Sequence, residues 1–451
     1  MNVIPFVHEG LGNSSYLVAL PDGAAALIDP DRTVGRYLQA AGARAWSITT
    51  VLETHLHADF VSGAREIAHA TGARLFVPEG AHSKLEHTPV QPGARVRLDG
   101  VEVEAIASAG HTPEHLSYAL RSAAAPPSLF SGGSLIVGGA ARTDLIAPDL
   151  TESLTRAQYR TLKEAFTTLP DETVLYPTHG GGSFCSTGQG GDRASTLGRE
   201  RADNPLLSFS DEEEFTRWFP TTFPATPAYY SRMRDVNAKG PPLREELSMP
   251  RGLSPDEFDA ARRGALVVDV RSKEQYASAH ITGSLSNAFR DAYCVWLGWL
   301  APADAALLFV LGDAPLERVV EESLLVGYER FAGFLDGGLE AWERGGRSFQ
   351  RTPLIGAREA RRTLVDGAAA LDVREPDEFA AGHVEGAIHV PLGDLEERLD
   401  ELPRDRPFVV YCAHGERSTS AASILERHGV GPAQVLDGGF GAWREAGMAA
   451  R

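Results

Sequence analysis

The chain has 451 residues, 43% of them hydrophobic, so it is long enough for two to four domains with apolar cores. Its formal net charge of −18 argues against binding to nucleic acid or to anionic membranes. Its three cysteines lie far apart, which excludes a disulfide framework and fits a reducing cytoplasm, the compartment we expect.

Alternating apolar and polar residues in the first half predict β-strands, and histidines follow at the strand ends. His55 and His57 flank Leu56 directly after the strand-like stretch 48–52, and Asp59 follows two residues later. Alternate residues of an extended segment point the same way, so both imidazoles can reach one cation.

Two more histidines occupy similar positions. His111 follows the alternating run 101–106, and His179 follows the strand-like run 174–177. A lone histidine is more often a hydrogen-bonded core residue, but several imidazoles at strand ends form an ordinary metal-ligand set. The pattern therefore favours metal binding in this half of the chain.

Cys185 lies close after His179 and directly behind the glycine run 180–182. The glycines predict a flexible, accessible loop. Two interpretations stay open, a small buried hydrophobe or a thiol that carries a persulfide near the histidines.

The most apolar long window is 293–311, and Pro302 and Asp304 interrupt it. This pattern predicts the end of a helix, a turn and a buried strand instead of a membrane span.

The last two hundred residues contain an internal repeat. The repeated motifs are Asp269-Val270-Arg271 and Asp372-Val373-Arg374, His280-Ile281-Thr282-Gly283 and His383-Val384-Glu385-Gly386, and Leu335-Asp336-Gly337-Gly338 and Leu436-Asp437-Gly438-Gly439. In each copy short β-rich runs alternate with amphipathic stretches, which predicts a parallel sheet flanked by helices. With linkers at 238–254 and 345–354, the predicted domains are 1–245, 255–350 and 354–451.

Cys412 is the best candidate nucleophile, because it lies between the strand-like run 408–411 and a helix-like stretch that starts at Ser418. A loop in this position aims several backbone N–H groups at one point and stabilises a thiolate. Arg417 adds a fixed positive charge. The loop residues predicted to stabilise a persulfide are Ala413, His414, Gly415, Glu416 and Ser418.

The cysteine loop, together with 372–375, 382–387 and 436–439, resembles the rhodanese-like sulfurtransferases. The resemblance implies that the Cys412 thiolate takes the outer sulfur of a donor as a persulfide and passes it to an acceptor thiol or to sulfite. In the upstream copy Leu311 stands where the cysteine should be, and no arginine follows at the matching place. We therefore expect 255–350 to be a rhodanese-like domain without a nucleophile.

The first half resembles the metallo-β-lactamase fold and, within it, the persulfide dioxygenases that are fused to rhodanese domains. The matching segments are 11–17, 27–30, 109–115, 142–145 and 176–180. The resemblance implies a mononuclear iron held by His55, His111 and one aspartate.

This sequence departs from the family at two ligand positions. Gly133 stands at the position of the aspartate, and Phe60 replaces the histidine that dinuclear hydrolases of this fold carry after Asp59. Two options stay open: a mononuclear site of His55, His57 and His111, or a domain that keeps the fold without the metal. Iron is the expected metal, with zinc or no metal as alternatives. The residues expected to support the site or to contact substrate are Asp59, His179 and Cys185.

The predicted protein is an α/β chain with an N-terminal αββα metallo-β-lactamase fold followed by two rhodanese-like α/β domains. We expect sulfane-sulfur metabolism, with sulfur transfer at Cys412 and oxidation of a small persulfide in the first domain. Expected partners are glutathione-type thiols or persulfides, thiosulfate, sulfite and further copies of the chain in a homo-oligomer. The alternatives are a metal-dependent thioester hydrolase of glyoxalase type and a sulfur-relay protein whose first domain is not catalytic.

Overall fold

A computed structural model describes residues 1–122, 125–187 and 191–449. Its internal contacts divide the chain into two compact units. The first unit contains residues 1–247 together with 321–327, and the second contains 248–320 together with 328–451.

The first unit contains two six-stranded sheets. The strands of one sheet, adjacent in chain order, are β1 (Val3–His8), β2 (Asn13–Ala19), β3 (Ala24–Ile28), β4 (Ser47–Leu52), β5 (Arg74–Pro78) and β6 (Thr88–Val90). The strands of the other sheet, also adjacent in chain order, are β7 (Arg95–Leu98), β8 (Val101–Ala107), β9 (Leu116–Ser122), β10 (Ala125–Gly132), β11 (Val174–Pro177) and β12 (Ser195–Thr196). Strands β3 to β6 pair in parallel, whereas β7 to β10 are antiparallel.

Helices cover the outer faces of these sheets. They are α1 (Gly35–Gly42), α2 (Ala64–Thr71), α3 (Thr151–Arg160), α4 (Leu197–Asp203), α5 (Pro205–Ser208), α6 (Glu212–Trp218) and α7 (Tyr230–Lys239). Successive side chains of a strand face opposite ways, so Tyr16 of β2 packs between the sheets with Phe130, while Leu17 packs outward with Tyr37 and Ile67 of the helices. The layers run helix, sheet, sheet, helix, which confirms the predicted αββα fold.

The second unit contains two five-stranded parallel sheets. The first repeat has β13 (Gly252–Leu253), β14 (Leu266–Asp269), β15 (Leu285–Ser286), β16 (Leu307–Val310) and β17 (Phe331–Leu335). The second repeat has β18 (Leu354–Ile355), β19 (Ala369–Asp372), β20 (Ile388–His389), β21 (Phe408–Tyr411) and β22 (Ala433–Leu436). Their orders, β13-β17-β16-β14-β15 and β18-β22-β21-β19-β20, are the same, so the sequence repeat is a repeat of topology.

Nine helices complete the described part of these repeats. They are α8 (Pro255–Ala261), α9 (Lys273–Ser278), α10 (Tyr293–Leu300), α11 (Leu316–Leu325), α12 (Gly338–Arg344), α13 (Ala357–Val365), α14 (Pro376–Ala380), α15 (Glu416–Arg427) and α16 (Gly439–Glu445). The apolar window 293–311 forms α10 and β16, as predicted. Within the described ranges no helix has both the length and the apolar character needed to cross a bilayer.

The strand register identifies which residue of each repeat occupies the position of the nucleophile. Asp372 pairs with Tyr411, the residue before Cys412, and Asp269 pairs with Val310, the residue before Leu311. The first repeat therefore has leucine where the second has cysteine.

The two repeats also share a core. Leu285 and Leu300 of the first repeat pack in one apolar cluster with Val410 and Ile424 of the second. At the edge of this cluster the Glu426 carboxylate accepts hydrogen bonds from the backbone N–H of Gly283 and pairs with buried His280, both at 3.0 Å.

Candidate metal centre and cysteine loop

The strand ends of the first unit bring three histidines together. His55 follows β4, His111 follows β8 and His179 follows β11, and each is at most 1% exposed. The ring of His55 lies 4.9 Å from that of His111 and 5.4 Å from that of His179, centroid to centroid. Each residue offers one ligand nitrogen, and these atoms lie within 4.8 Å of one another.

Hydrogen bonds fix the orientation of two of these rings through Nδ1. His55 Nδ1 lies 2.8 Å from the hydroxyl of Thr54, which itself donates to Asp29. His111 Nδ1 lies 2.6 Å from the carbonyl oxygen of Arg142. Because both acceptors require an N–H, the neutral rings carry their lone pairs on Nε2.

The third ring is fixed in the same way. Asn13 donates its side-chain N–H to Asp59 at 2.6 Å, so its amide oxygen faces His179 Nδ1, 3.0 Å away. All three rings therefore direct Nε2 into one space, the arrangement that protein ligands of metals show.

The distances and the charge state fit a metal ion in this space. His55 Nε2 lies 3.4 Å from His179 Nε2. A tetrahedral ion with bonds of about 2.1 Å would hold two nitrogens about 3.4 Å apart. Burial lowers the pKa of His55 and of His111 well below the usual value, so both are neutral and able to coordinate. Imidazole ligands suit zinc, iron, copper and nickel alike.

His57 has different partners. Its Nε2 lies 3.0 Å from a Glu53 oxygen and 3.4 Å from an Asp29 oxygen. Burial acts against the charged form, but the two carboxylates raise the pKa of His57 to about 10. The ring of Phe60 stacks on it at 4.2 Å. The Nδ1 of His57, however, is buried and has no hydrogen-bond partner among the described residues, and His57 also lies within ligand distance of His55 with Asp29 and of His179 with Asp59. The ligand set predicted from the sequence, His55, His57 and His111, stays a prediction.

Gly133 is the position where the resemblance implies an aspartate. A Cβ atom there would lie 2.7 Å from His111 Cδ2 and 2.9 Å from Ala141 Cβ, so an aspartate would displace His111. The Gly133 N–H donates to His115 Nε2 at 3.0 Å. Burial lowers the pKa of His115 to about 3, which keeps this nitrogen an acceptor. The prediction from the sequence does not include this role of His115, although its spacing from His111 is a signal for it.

Cys185 is completely buried, so the expectation of an accessible loop is wrong. Hydrogen bonds tie its backbone in place, since its carbonyl accepts from Arg142 at 2.8 Å and its N–H donates to Ser183 at 3.2 Å. Burial, with help from the nearby Asp59 carboxylate, raises the pKa of the Cys185 thiol well above its usual value. These features fit the small-hydrophobe interpretation, and contact between Cys185 and substrate stays a prediction.

The cysteine loop surrounds one sulfur atom. Cys412 Sγ accepts the backbone N–H of Gly415 at 3.0 Å and the hydroxyl of Ser418 at 3.6 Å. Gly415 has φ +117°, a conformation that favours glycine, and helix α15 begins at the next residue, Glu416. Of the predicted loop set, Gly415 and Ser418 contact the sulfur, while the side chain of His414 is exposed.

The second copy of the repeated Asp-Gly-Gly motif packs against the backbone of this loop. A Cβ at Gly439 would collide with the carbonyl oxygens of Cys412 and Ala413. Without one, the chain comes close enough for the Phe440 N–H to donate to the Cys412 carbonyl at 2.8 Å. The motif therefore positions the nucleophile.

Arg417 carries the predicted positive charge, but a carboxylate already pairs with it. Its two terminal nitrogens donate to the two oxygens of Glu378 in α14, at 2.6 and 2.8 Å. Burial opposes charge on both groups, yet the pair raises the pKa of Arg417 and holds the pKa of Glu378 below its ordinary 4.5. No local sequence pattern predicts the role of Glu378, because its partner is 39 residues away along the chain.

We predict that Glu378→Gln lowers the opening free energy of α15 by about 1–2 kcal/mol, because it leaves a half-buried guanidinium without its carboxylate. Hydrogen exchange of the full chain, read on peptides from 416–427, measures this. The matched control is Glu401→Gln, which breaks the exposed pair with Arg398 and should change the stability much less, because solvent screens that pair.

The same pair has a defined pH dependence. The pKa of Glu378 is lower in the folded protein than in the unfolded chain. The pair therefore contributes to stability fully above pH 4.5, and this contribution is lost as the pH falls through the folded-state pKa. The difference between wild type and Glu378→Gln should therefore vanish in acid. A difference that persists there would show that the glutamine acts by disturbing packing.

Known families match both parts of the chain. Residues 8–188 match the metallo-beta-lactamase superfamily, and residues 357–446 match the rhodanese-like domain. The thiosulfate sulfurtransferase GlpE of Pseudomonas aeruginosa is 37% identical over 97 residues, which cover 22% of this chain and 86% of that protein.

Two relatives match the first part. A hydroxyacylglutathione hydrolase of Polaromonas sp. is 34% identical over 174 residues, which cover 37% of this chain. The chain spans 62% of the length of that relative. The crystal structure of a metallo-beta-lactamase from Staphylococcus aureus is similar with a TM-score of 0.65 and 28% identity, over 74% of this chain and 98% of that chain.

The cysteine loop at the end of a parallel strand and the histidine cluster of the αββα unit lie within the two matched segments. The chain therefore belongs to the rhodanese-like family through residues 357–446, and in the same polypeptide it carries a metallo-beta-lactamase superfamily domain at residues 8–188.

Proposed function

We propose that the protein is a sulfurtransferase whose Cys412 accepts sulfane sulfur from a small anionic donor such as thiosulfate. The single observation that carries the proposal is the placement of Cys412 Sγ, 3.0 Å from the Gly415 N–H at the end of a parallel strand. The 37% identity to a thiosulfate sulfurtransferase supports the choice of donor.

The transfer has two balanced steps. The Cys412 thiolate attacks the outer sulfur of thiosulfate; a new S–S bond forms as the old one breaks, and sulfite leaves with the bonding electron pair. An acceptor thiolate, or cyanide in an assay, then attacks the outer sulfur, and Cys412 leaves as the thiolate. The Gly415 N–H and the Ser418 hydroxyl stabilise the anionic sulfur at the start and at the end of the cycle.

A labelling experiment tests this proposal. The full chain is incubated with thiosulfate that carries ³⁵S in the outer position, and its peptides are then analysed by mass spectrometry. We expect the label, with the added mass of one sulfur atom, on the Cys412 peptide, and cyanide should release it as labelled thiocyanate. Label on another cysteine, or on none, would contradict the assignment.

For the first domain we propose that His55, His111 and His179 hold a metal ion, with iron as the first candidate, and that a small thiol persulfide is oxidised there. The ion would supply Lewis-acid chemistry and, in the case of iron, redox chemistry. Overall, persulfide RSSH, dioxygen and water would give the thiol RSH, sulfite and two protons. Through their Nδ1 partners, Thr54, Arg142 and Asn13 keep the three Nε2 lone pairs in place.

Thioester hydrolysis is the second candidate for this domain. It is favoured by the 34% identity to a hydroxyacylglutathione hydrolase. Gly133 and Phe60 oppose it, because they remove two ligands that a dinuclear site would need. Oxygen uptake with glutathione persulfide, measured with an oxygen electrode, would support oxidation, and loss of absorbance of glutathione thioesters would support hydrolysis.

We also propose that glutathione-type thiols accept the sulfur from Cys412 and that the protein forms a homo-oligomer.

A further inference from the structure

Lys273, a residue of the repeat that lacks the nucleophile, reaches the cysteine loop of the other repeat. It is the first residue of α9, and its side chain is 14% exposed. Its ammonium group donates to the carbonyl oxygen of His414 and to a carboxylate oxygen of Asp437, both at 3.0 Å. Both partners belong to the segments that form and support the Cys412 loop.

The ammonium lies against the same glycine that binds the sulfur. The Gly415 N–H donates to Cys412 Sγ, and a Cβ atom built on Gly415 would lie 2.8 Å from Lys273 Nζ. The missing side chain at Gly415 therefore leaves the space that the ammonium fills. The ammonium and the nucleophilic sulfur therefore both lie next to Gly415.

A dianionic donor is stabilised by cations at this loop, and part of the Arg417 charge is already neutralised by Glu378. Both of its terminal nitrogens bind Glu378. The ammonium of Lys273 has three N–H donors, of which two are used. Among the residues that the structure describes, no acceptor lies within hydrogen-bond distance of the third, since Glu274 is 3.8 Å away.

A purely structural role explains these contacts less well. The Asp437 side chain that pairs with Lys273 is about half exposed, and ion pairs with an exposed partner contribute little to stability. The repeats are already joined by a shared apolar core and by the bonds of Glu426. Moreover, the second repeat has Pro376 at the position that matches Lys273, counted from the common Asp-Val-Arg motif, so the lysine is not a general feature of the repeat.

We propose that Lys273 binds the oxyanion end of the sulfur donor, so that the repeat without a nucleophile supplies part of the Cys412 active site. The inference rests on the proposed sulfurtransferase function and names its donor class, a small molecule whose sulfane sulfur is attached to an anionic sulfonate. The third N–H contacts the sulfonate oxygens while the outer sulfur faces Cys412.

Steady-state kinetics of Lys273→Met with thiosulfate and cyanide tests the proposal. We expect the KM for thiosulfate to rise about tenfold and kcat to change less than about twofold, because a charge-assisted contact to the bound donor is lost. Lys273→Arg should restore most of the affinity. The control is Lys239→Met, which removes the same charge from an exposed site in the first unit and should leave KM unchanged.

A second measurement does not depend on transferase activity. Alkylation of Cys412 is followed on its peptide with anionic iodoacetate and with neutral iodoacetamide. Lys273→Met should slow the anionic reagent about fivefold and leave the neutral one unchanged. If both reagents slow equally, or if KM is unchanged, Lys273 is structural and the proposal is wrong. If wild type transfers no sulfur but the selective loss remains, the cation site stands and the proposed function fails.

Discussion

Replacing Cys412 with serine should abolish thiocyanate formation from thiosulfate and cyanide, lowering kcat/KM at least about a thousandfold. The serine oxygen can still accept the Gly415 N–H that binds the sulfur in wild type, so the loop should keep its shape. An alkoxide, however, is not available at neutral pH and cannot carry sulfane sulfur as a persulfide. The expected loss is thus a loss of chemistry and not of fold.

Cys294→Ser is the matched control for this experiment. Cys294 is also completely buried, lies in α10 of the repeat without a nucleophile, and undergoes the same exchange of sulfur for oxygen. The activity of this variant should stay within about twofold of wild type, because Cys294 lies in the repeat without a nucleophile and is not the attacking thiol. Transfer that survives in Cys412→Ser, or that is lost equally in Cys294→Ser, would exclude Cys412 as the nucleophile.

The cysteine loop shows how far the sequence can predict a site of this kind. A short apolar run followed by cysteine, glycine and a helical stretch is a local pattern, and it located Cys412 between β21 and α15. The electrostatic partners are not local. Glu378 is 39 residues from Arg417, and Lys273 is 141 residues from His414. The first pair depends on how two helices of one repeat pack, and the second on how the two repeats pack, and no spacing rule describes either.

In the histidine cluster, too, the positions of the residues are predicted by local patterns but their orientations are not. Strand-end position identified all the histidines in the group, but position alone does not say which nitrogen each ring presents. That choice depends on Nδ1 partners such as Asn13, which is 166 residues from His179. The spacing of His57 from His55 predicts a ligand but not the nitrogen it presents: in the fold its Nε2 contacts the carboxylates of Glu53 and Asp29, and its Nδ1 is buried with no hydrogen-bond partner in the part of the chain that the structure describes.

The glycine run before Cys185 predicts the wrong accessibility for this cysteine, because the contacts that bury it are not local. A glycine run predicts a mobile loop, but here the glycines permit a tight path of the backbone. Gly182 has φ +89°, and a Cβ at Gly12 would collide with the backbone of Gly182 and Ser183. The segment packs closely against β2 and its turn, so the cysteine behind it is buried.

His179→Ala should reduce the metal content of the purified protein to about a tenth of the wild-type value or less, because it removes one of three converging Nε2 lone pairs. His55→Ala and His111→Ala should do the same. Metal is measured per chain by inductively coupled plasma mass spectrometry on protein prepared without chelators, and circular dichroism verifies that the fold is retained.

His69→Ala is the control, since His69 lies in α2 of the same unit with a side chain 53% exposed, and its removal should leave the metal content unchanged. The decisive comparison is with His57→Ala. If the metal is bound by the cluster of His55, His111 and His179, loss of His57 leaves Glu53 and Asp29 without their cationic partner and mainly lowers stability. If His57→Ala loses the metal while His179→Ala keeps it, the ligand set predicted from the sequence is correct, and the convergence of the three Nε2 atoms does not mark the binding site.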